Sequence, residues 1–162
     1  MKKATLVLIT RGSGAQEEVL LAKKKKAEIG TDTINGPGGK VEPGETPLQC
    51  AARETQEEAG ITIYLKNLRL RAVINFYAAG VLDFKVFVYR TSKFSGTPCE
   101  TESMFTPRWY KVNNLPVERM LESDRMWFEK VIRSNSRRTM KIDVYYKQRA
   151  KGFERIEFLN LP

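Results

Sequence analysis

The chain has 162 residues, enough for one domain with a sizeable hydrophobic core and too few for several. It carries 28 Lys and Arg against 19 Asp and Glu, and the resulting +9 favours polyanions such as nucleotides, RNA or membrane surfaces without choosing among them. With no histidine and only two cysteines it excludes imidazole catalysis and a disulfide framework, so any chemistry must run on carboxylates, Lys, Arg, Tyr or a metal.

Met1-Lys2-Lys3 followed by an apolar run has the outline of a secretory signal, but the run is short and stops at Arg11 without a small-residue cleavage site. It reads as a strand, Ala4–Thr10, paired with a second, Glu18–Lys24, through a turn at Arg11–Gln16 that contains two glycines. No segment approaches the roughly 20 apolar residues of a membrane span. A soluble, cytoplasmic monomer is expected, with no membrane partner. The run Lys23-Lys24-Lys25-Lys26 is either a solvated strand end or a phosphate-binding element, and Lys24 is retained as a candidate substrate ligand.

A polar loop, 25–38, leads to Thr46, a good N-cap followed by Pro47 at the first helical position and Gln49 at the third. This pattern predicts a helix over 46–59, stopped by Gly60. At about 100° per residue, Leu48, Ala51, Ala52, Thr55 and Ala59 form one stripe, and Glu54, Glu57 and Glu58 an arc centred roughly 100° away. Three carboxylates that close repel one another unless a cation joins them. A hard divalent ion such as Mg2+ is the natural partner, with phosphate oxygens of a substrate completing its ligands. Asn35-Gly36-Pro37-Gly38-Gly39, just before the helix, lets backbone approach a ligand closely.

Further strands are expected at about 61–64, 68–77 and 84–91, then an irregular connector over 94–107 and a short strand over 108–111. Ser123 should cap a second helix over 124–133 that turns Met126, Trp127, Phe128 and Val131 inward. Two alternating runs, 139–148 and 154–159, with Ala150-Lys151-Gly152 between them, read as a hairpin. Mixed strands with helices on both sides make an α/β class protein, an α/β/α sandwich with a central mixed sheet, in one domain spanning 1–162.

Gly39, five residues, Glu45, seven residues, then Arg53-Glu54-Thr55-Gln56-Glu57-Glu58-Ala59-Gly60-Ile61 resembles the signature of the Nudix hydrolases, departing only at Thr55, where an apolar residue is usual. The resemblance implies the Nudix fold and cleavage of a nucleoside diphosphate linked to another group, by water attack at phosphorus with Mg2+ bridging the phosphates; Mn2+ is a possible substitute. It implies that Glu54, Glu57 and Glu58 are metal ligands, one of them acting as base, with a carbonyl of Gly38 or Gly39 added. Arg53 and Glu45 would orient the helix. Glu102 is a candidate for an extra acidic ligand or a plain solvated charge.

A second resemblance covers most of the chain. Asn35 and its glycine loop, Phe84-Lys85-Val86-Phe87-Val88-Tyr89, Gly96-Thr97-Pro98, Trp109 to Pro116, and Asp124 to Phe128 are similar to the MutT-related oxidised-purine nucleoside triphosphatases, which remove 8-oxo-dGTP and 2-hydroxy-dATP. It implies that Asn35 and Asp124 read the base edge between Phe76 and Trp127. Phe76 and Trp127 equally suit an ordinary core, and Asp124 a helix N-terminus. Two positions depart from that pattern: Leu121 stands for a stacking Trp, and Ser123 for a second aspartate. An RNA 5′-pyrophosphohydrolase and a Nudix-fold regulator that binds without cutting are the alternatives; retention of the glutamates favours an enzyme.

Overall fold

A computed structural model describes residues 1–160. The main sheet runs in the order β10 (Lys151–Asn160), β9 (Met140–Gln148), β5 (Arg69–Ala78), β6 (Val81–Thr91), β1 (Lys2–Arg11), β2 (Glu18–Lys24) and β3 (Ile34–Asn35), and β8 (Met104–Lys111) also pairs with β2. β1–β6 and β5–β9 are parallel, the other pairs of this sheet antiparallel. Two short strands, β4 (Thr62–Ile63) and β7 (Phe94–Ser95), form a separate ribbon.

Helix α1 (Pro47–Ala59) covers one face of the sheet and α2 (Asp124–Arg133) the other. Strand β1 is buried on both sides because its alternation serves both: Val7 and Ile9 pack with Ala51 and Ala59 of α1, while Leu6 and Leu8 join the cluster around α2. Trp127, Phe128, Val131 and Ile132 repeat at helical spacing and are buried against Ile74, Ile142 and Val144. Burying each such large apolar side chain stabilises the fold by about 1.5–3 kcal/mol. The expected α/β/α layering is therefore present. Met126, expected inside, is 45% exposed: it falls between the buried positions of the α2 stripe, on the solvent side. The expected connector also contains more order than its composition signals. β8 begins at Met104, four residues before the expected short strand, because Met104 and Phe105 pair with Lys24 and Lys23.

The sheet is irregular between β1 and β2. β1 and β2 are paired at Thr10–Val19 and Arg11–Glu18, and nearer the start of β1 the glycine loop takes the place of β2. Thr5 N–H donates to Gly39 O and Val7 N–H to Pro37 O, both at 2.8 Å. A Cβ on Gly36 would strike the Val7 carbonyl, and one on Gly38 the Thr5 carbonyl. The glycines are needed so that this loop can lie against β1, and the widened gap between β1 and β2 becomes the mouth of a cavity.

Candidate active site

A cavity of about 800 Å³ opens there, within the range of small-molecule sites. Ala4 and Leu6 of β1, Lys24 of β2, the Gly38-Gly39 loop, and Glu54 and Glu58 of α1 line one part of it; Asn35, Phe76, Leu121, Asp124 and Trp127 line another.

The helix that supplies the carboxylates is held at its start as the sequence requires. Thr46 accepts from Gln49 N–H, and the Gln49 side chain accepts from Thr46 N–H at 2.8 Å, a complete capping box. Gly60 ends the helix at φ 68°, in the left-handed region. Thr55 is fully buried, with its hydroxyl donating to Ala51 O at 2.8 Å, so the departure from the signature is absorbed within the helix.

Arg53 is the hub of this end. It grips Glu45 through two parallel bonds, at 2.8 and 2.9 Å, and reaches Glu54 at 2.9 Å, Glu57 at 3.1 Å and the Lys40 carbonyl at 3.2 Å. The guanidinium holds the Glu45 carboxyl down to about 2, chiefly by hydrogen bonding. Glu54 lies against Gly39, where a Cβ would collide with its carboxylate. Burial pushes the Glu54 carboxyl upward, and the charges of Glu58 and Glu57 add to that, against the lowering effect of Arg53. Glu58 is 7% exposed and accepts from Lys24 Nζ at 2.8 Å and from Gly38 N–H at 2.9 Å.

The lysine run has thus separated into different tasks. Lys24 is 8% exposed, its ammonium bridging the Glu58 carboxylate and the Gly38 carbonyl at 3.0 Å. Lys25 bonds Thr101 O and lies over the Phe105 ring, and Lys23 faces Asp32 at the surface. The glutamate arc separates as well. Glu54 and Glu58 enter the cavity, whereas the Glu57 side chain is 58% exposed on the outer side of Arg53. Glu102 is exposed in the loop before β8, and its neighbour Ser103 is the one that lines the cavity.

Among the described residues no three acidic side chains converge as a ready-made metal cage. The donor set nonetheless fits a hard divalent cation: two carboxylates and a loop carbonyl, all oxygen, with an ammonium lodged between two of them.

At the other end Asp124 is 4% exposed and surrounded by neutral donors. Asn35 Nδ2 donates to Oδ2 at 2.9 Å, and Trp127 Nε1 to Oδ1 at 2.9 Å. Burial raises the Asp124 carboxyl to about 6, more than these bonds lower it. Ser123 occupies the N-cap position of α2, but its hydroxyl caps nothing and turns to Asp124 Oδ1 at 3.2 Å. Tyr146, which sequence reasoning missed, bonds Ser123 from β9. No local signal marks it, because an alternating strand gives no reason to single out one buried tyrosine.

A model of the NUDIX domain matches residues 1–131. The chain belongs to the Nudix hydrolase family. It is similar to the oxidized purine nucleoside triphosphate hydrolase of Danio rerio, at 35% identity over 128 residues, 78% of this chain and 77% of that protein. It is also similar to the NAD-capped RNA hydrolase NudC of Stutzerimonas stutzeri, at 32% identity over 116 residues, 72% of this chain and 38% of that protein. In fold it resembles the mMutator MutT protein of Bacillus halodurans, with a TM-score of 0.77, 22% identity and complete coverage of both chains. Among the described residues no helix is long and apolar enough to cross a membrane.

Proposed function

We propose that this Nudix hydrolase converts oxidised purine nucleoside triphosphates, 8-oxo-dGTP and 2-hydroxy-dATP foremost, to the monophosphate and pyrophosphate. The observation that carries this reading is the union, in one cavity, of Asn35 and Asp124 among the apolar side chains of Phe76, Leu121 and Trp127 with the charged groups of Glu54, Glu58 and Lys24. The similarity to the oxidized purine nucleoside triphosphate hydrolase of Danio rerio supports the choice of substrate.

Mg2+, or Mn2+ in its place, would be held by Glu54, Glu58 and a carbonyl of Gly38 or Gly39, with Glu57 reaching in on rearrangement. When bound it neutralises charge on the phosphates and favours attack by water. Lys24 then has a second use for its ammonium, a phosphate oxygen, once Glu58 is engaged elsewhere. Arg53 and Glu45 hold the start of α1 and the glycine loop in fixed relation, so the carboxylates keep their positions. Phe76 and Trp127 bound the base, Leu121 gives it an apolar contact, and Asn35 and Asp124 hydrogen-bond its edge. A base that fails to match leaves those buried groups unpaired, which is how such a site discriminates. The working unit is taken as a monomer in the cytoplasm; sedimentation at working concentration tests the first and cell fractionation the second.

The second reading, removal of pyrophosphate or a related cap from an RNA 5′ end, draws on the similarity to NudC and on the +9 charge. One screen separates the two. Pyrophosphate release is measured with oxidised and normal purine nucleotides and with 5′-triphosphate RNA side by side. The nucleotide reading expects a higher kcat/KM for the oxidised purines, and Asp124→Ala should erode that preference by about 1–3 kcal/mol. Equal values for oxidised and normal purines with rapid turnover of RNA transfer the function to the RNA end.

A further inference from the structure

The base end of the cavity rests on a chain of hydroxyls. Tyr146 is 3% exposed on β9, and Ser123 is fully buried just before α2. Ser123 N–H lies 3.2 Å from Tyr146 Oη, the two hydroxyl oxygens are 3.1 Å apart, and Ser123 Oγ is 3.2 Å from Asp124 Oδ1.

Only one direction of the bonds in this chain gives every hydroxyl proton an acceptor within it. A backbone N–H can only donate, so Tyr146 Oη accepts there and its own proton goes to Ser123 Oγ. Ser123 Oγ then directs its proton to Asp124 Oδ1. Reversing the hydroxyls would leave the buried Tyr146 proton without an acceptor, at a cost of about 1–3 kcal/mol. Trp127 Nε1, a donor only, bonds the same Oδ1. Oδ1 therefore receives two donors. Asn35 is oriented just as firmly: Gly36 N–H donates to its Oδ1 at 2.8 Å, which leaves Nδ2 to donate to Asp124 Oδ2.

We propose that Tyr146 and Ser123 are specificity-determining positioning residues that saturate Oδ1 of Asp124, so that a purine edge is read by Oδ2 and the Asn35 amide alone. This rests on the purine-nucleotide reading of the cavity. What remains for a ligand is one lone pair on Oδ2, the second proton of Asn35 Nδ2 and one lone pair on Asn35 Oδ1. The pattern accepts, donates and accepts, and it suits a purine edge on which an N–H neighbours an acceptor. A proton taken up by Asp124 has only Oδ2 to occupy, where it turns the reading atom from acceptor to donor without moving it. Burial raises the Asp124 carboxyl to about 6, which brings its titration into an accessible pH range. The ionisable groups near it are Tyr146 from β9 and Glu122 in the preceding loop, with the ion-paired Lys24 and Glu58 lining another part of the cavity. Its contacts from β3 and α2, Asn35 and Trp127, are neutral.

The test uses Tyr146→Phe and Ser123→Ala, which remove the hydroxyls one at a time, and Ser123→Thr, which keeps one. The Asp124 side-chain carboxyl is titrated by carbon NMR in the ligand-free protein, and KM and kcat for 8-oxo-dGTP are followed over the same pH range. Loss of a donor to the carboxylate should raise its midpoint by about one pH unit. At pH above the midpoint KM should rise about three- to tenfold while kcat changes less than about twofold, since the contact lies far from phosphorus. Ser123→Thr should restore both. A purely structural role would lower the melting temperature and leave midpoint and KM alone. Midpoint and KM equal to wild type in folded Tyr146→Phe and Ser123→Ala overturn the inference. Should the wild-type protein prove inactive on purine triphosphates, the functional reading falls, and the NMR titration still decides whether the hydroxyl chain holds Asp124.

Discussion

The two ends of the cavity treat a carboxylate in opposite ways. Around α1 each acidic side chain meets a cation: Arg53 takes Glu45, Glu54 and Glu57, and Lys24 takes Glu58. Around α2 the one buried carboxylate meets only neutral donors. Beside the cavity, Arg53 holds the Glu45 carboxyl at about 2, while inside it burial lifts Asp124 to about 6 and also pushes Glu54 upward against the pull of Arg53. Arg53 keeps Glu45 charged, whereas Asp124, with no cation bonded to it, sits nearer the point of losing its charge. Charge is what phosphate and metal chemistry needs, and a hydrogen-bond pattern is what a base needs.

The sharpest way to break the comparison is at the charged end. If Glu58 lies in the reacting site and Glu57 on its rim, Glu58→Gln should cut kcat by about a hundredfold or more, and Glu57→Gln by clearly less. Equal losses measured at saturating Mg2+ would draw Glu57 inside on a par with Glu58. Lys24→Met is next in size. Removing one partner of a buried ion pair costs about 3 kcal/mol, here by leaving Glu58 unpaired. Added Mg2+ should restore much of the urea midpoint, because a divalent ion can replace the ammonium; a loss that metal leaves untouched would show that the oxygens do not form a cation site.

The opposite pKa shifts predict opposite pH limbs of stability. Asp124 has a raised folded value, so the stability it contributes is present below the unfolded value of about 3.9 and is lost as pH rises through about 6. The difference between wild type and Asp124→Asn in urea denaturation should therefore shrink by about 2–3 kcal/mol as pH goes from 4 to about 6. Glu45 has a lowered value, so its contribution is present above about 4.3 and is lost as pH falls through about 2. For Glu45→Gln the difference should shrink on acidification. Parallel limbs for the two variants would mean that the ends do not differ as described. The smallest effect belongs to Leu121, an aliphatic side chain that lines the cavity with Asp124 and Trp127. Leu121→Trp gives a stacking face worth on the order of 1–3 kcal/mol, so KM should fall about tenfold with kcat little changed. Unaltered binding of every purine by the folded variant places the base away from this wall.

The two ends also differed in how far they could be read in advance. The start of α1 was legible because Thr46, Pro47, Gln49 and Gly60 act within a few residues of one another, and local hydrogen bonds depend on little else. Ser123 shows the limit of such reasoning. It occupies a cap position and is a good capping residue, yet Tyr146, distant in sequence, offers its hydroxyl a better network. Met126 is apolar, yet at about 100° per residue it lies opposite the stripe of Trp127, Phe128 and Val131, so helical spacing and not residue type decides that it faces solvent. Lys24 stood out among four consecutive lysines as a ligand candidate, but its burial depends on Glu58, far along the chain.

Taken alone, the sequence determined the family, the layered α/β arrangement, the carboxylate-bearing helix and the exclusion of imidazole chemistry. Those follow from residue type, spacing and periodicity, which are properties of neighbours along the chain. The tertiary structure decided that the glycines serve the approach of the loop to β1, that Lys24 and Glu58 share a buried contact, and that two donors converge on one oxygen of Asp124. Each of these depends on groups brought together from separate strands and helices, where burial and the supply of donors set the charge state, and neither is encoded within a helical turn.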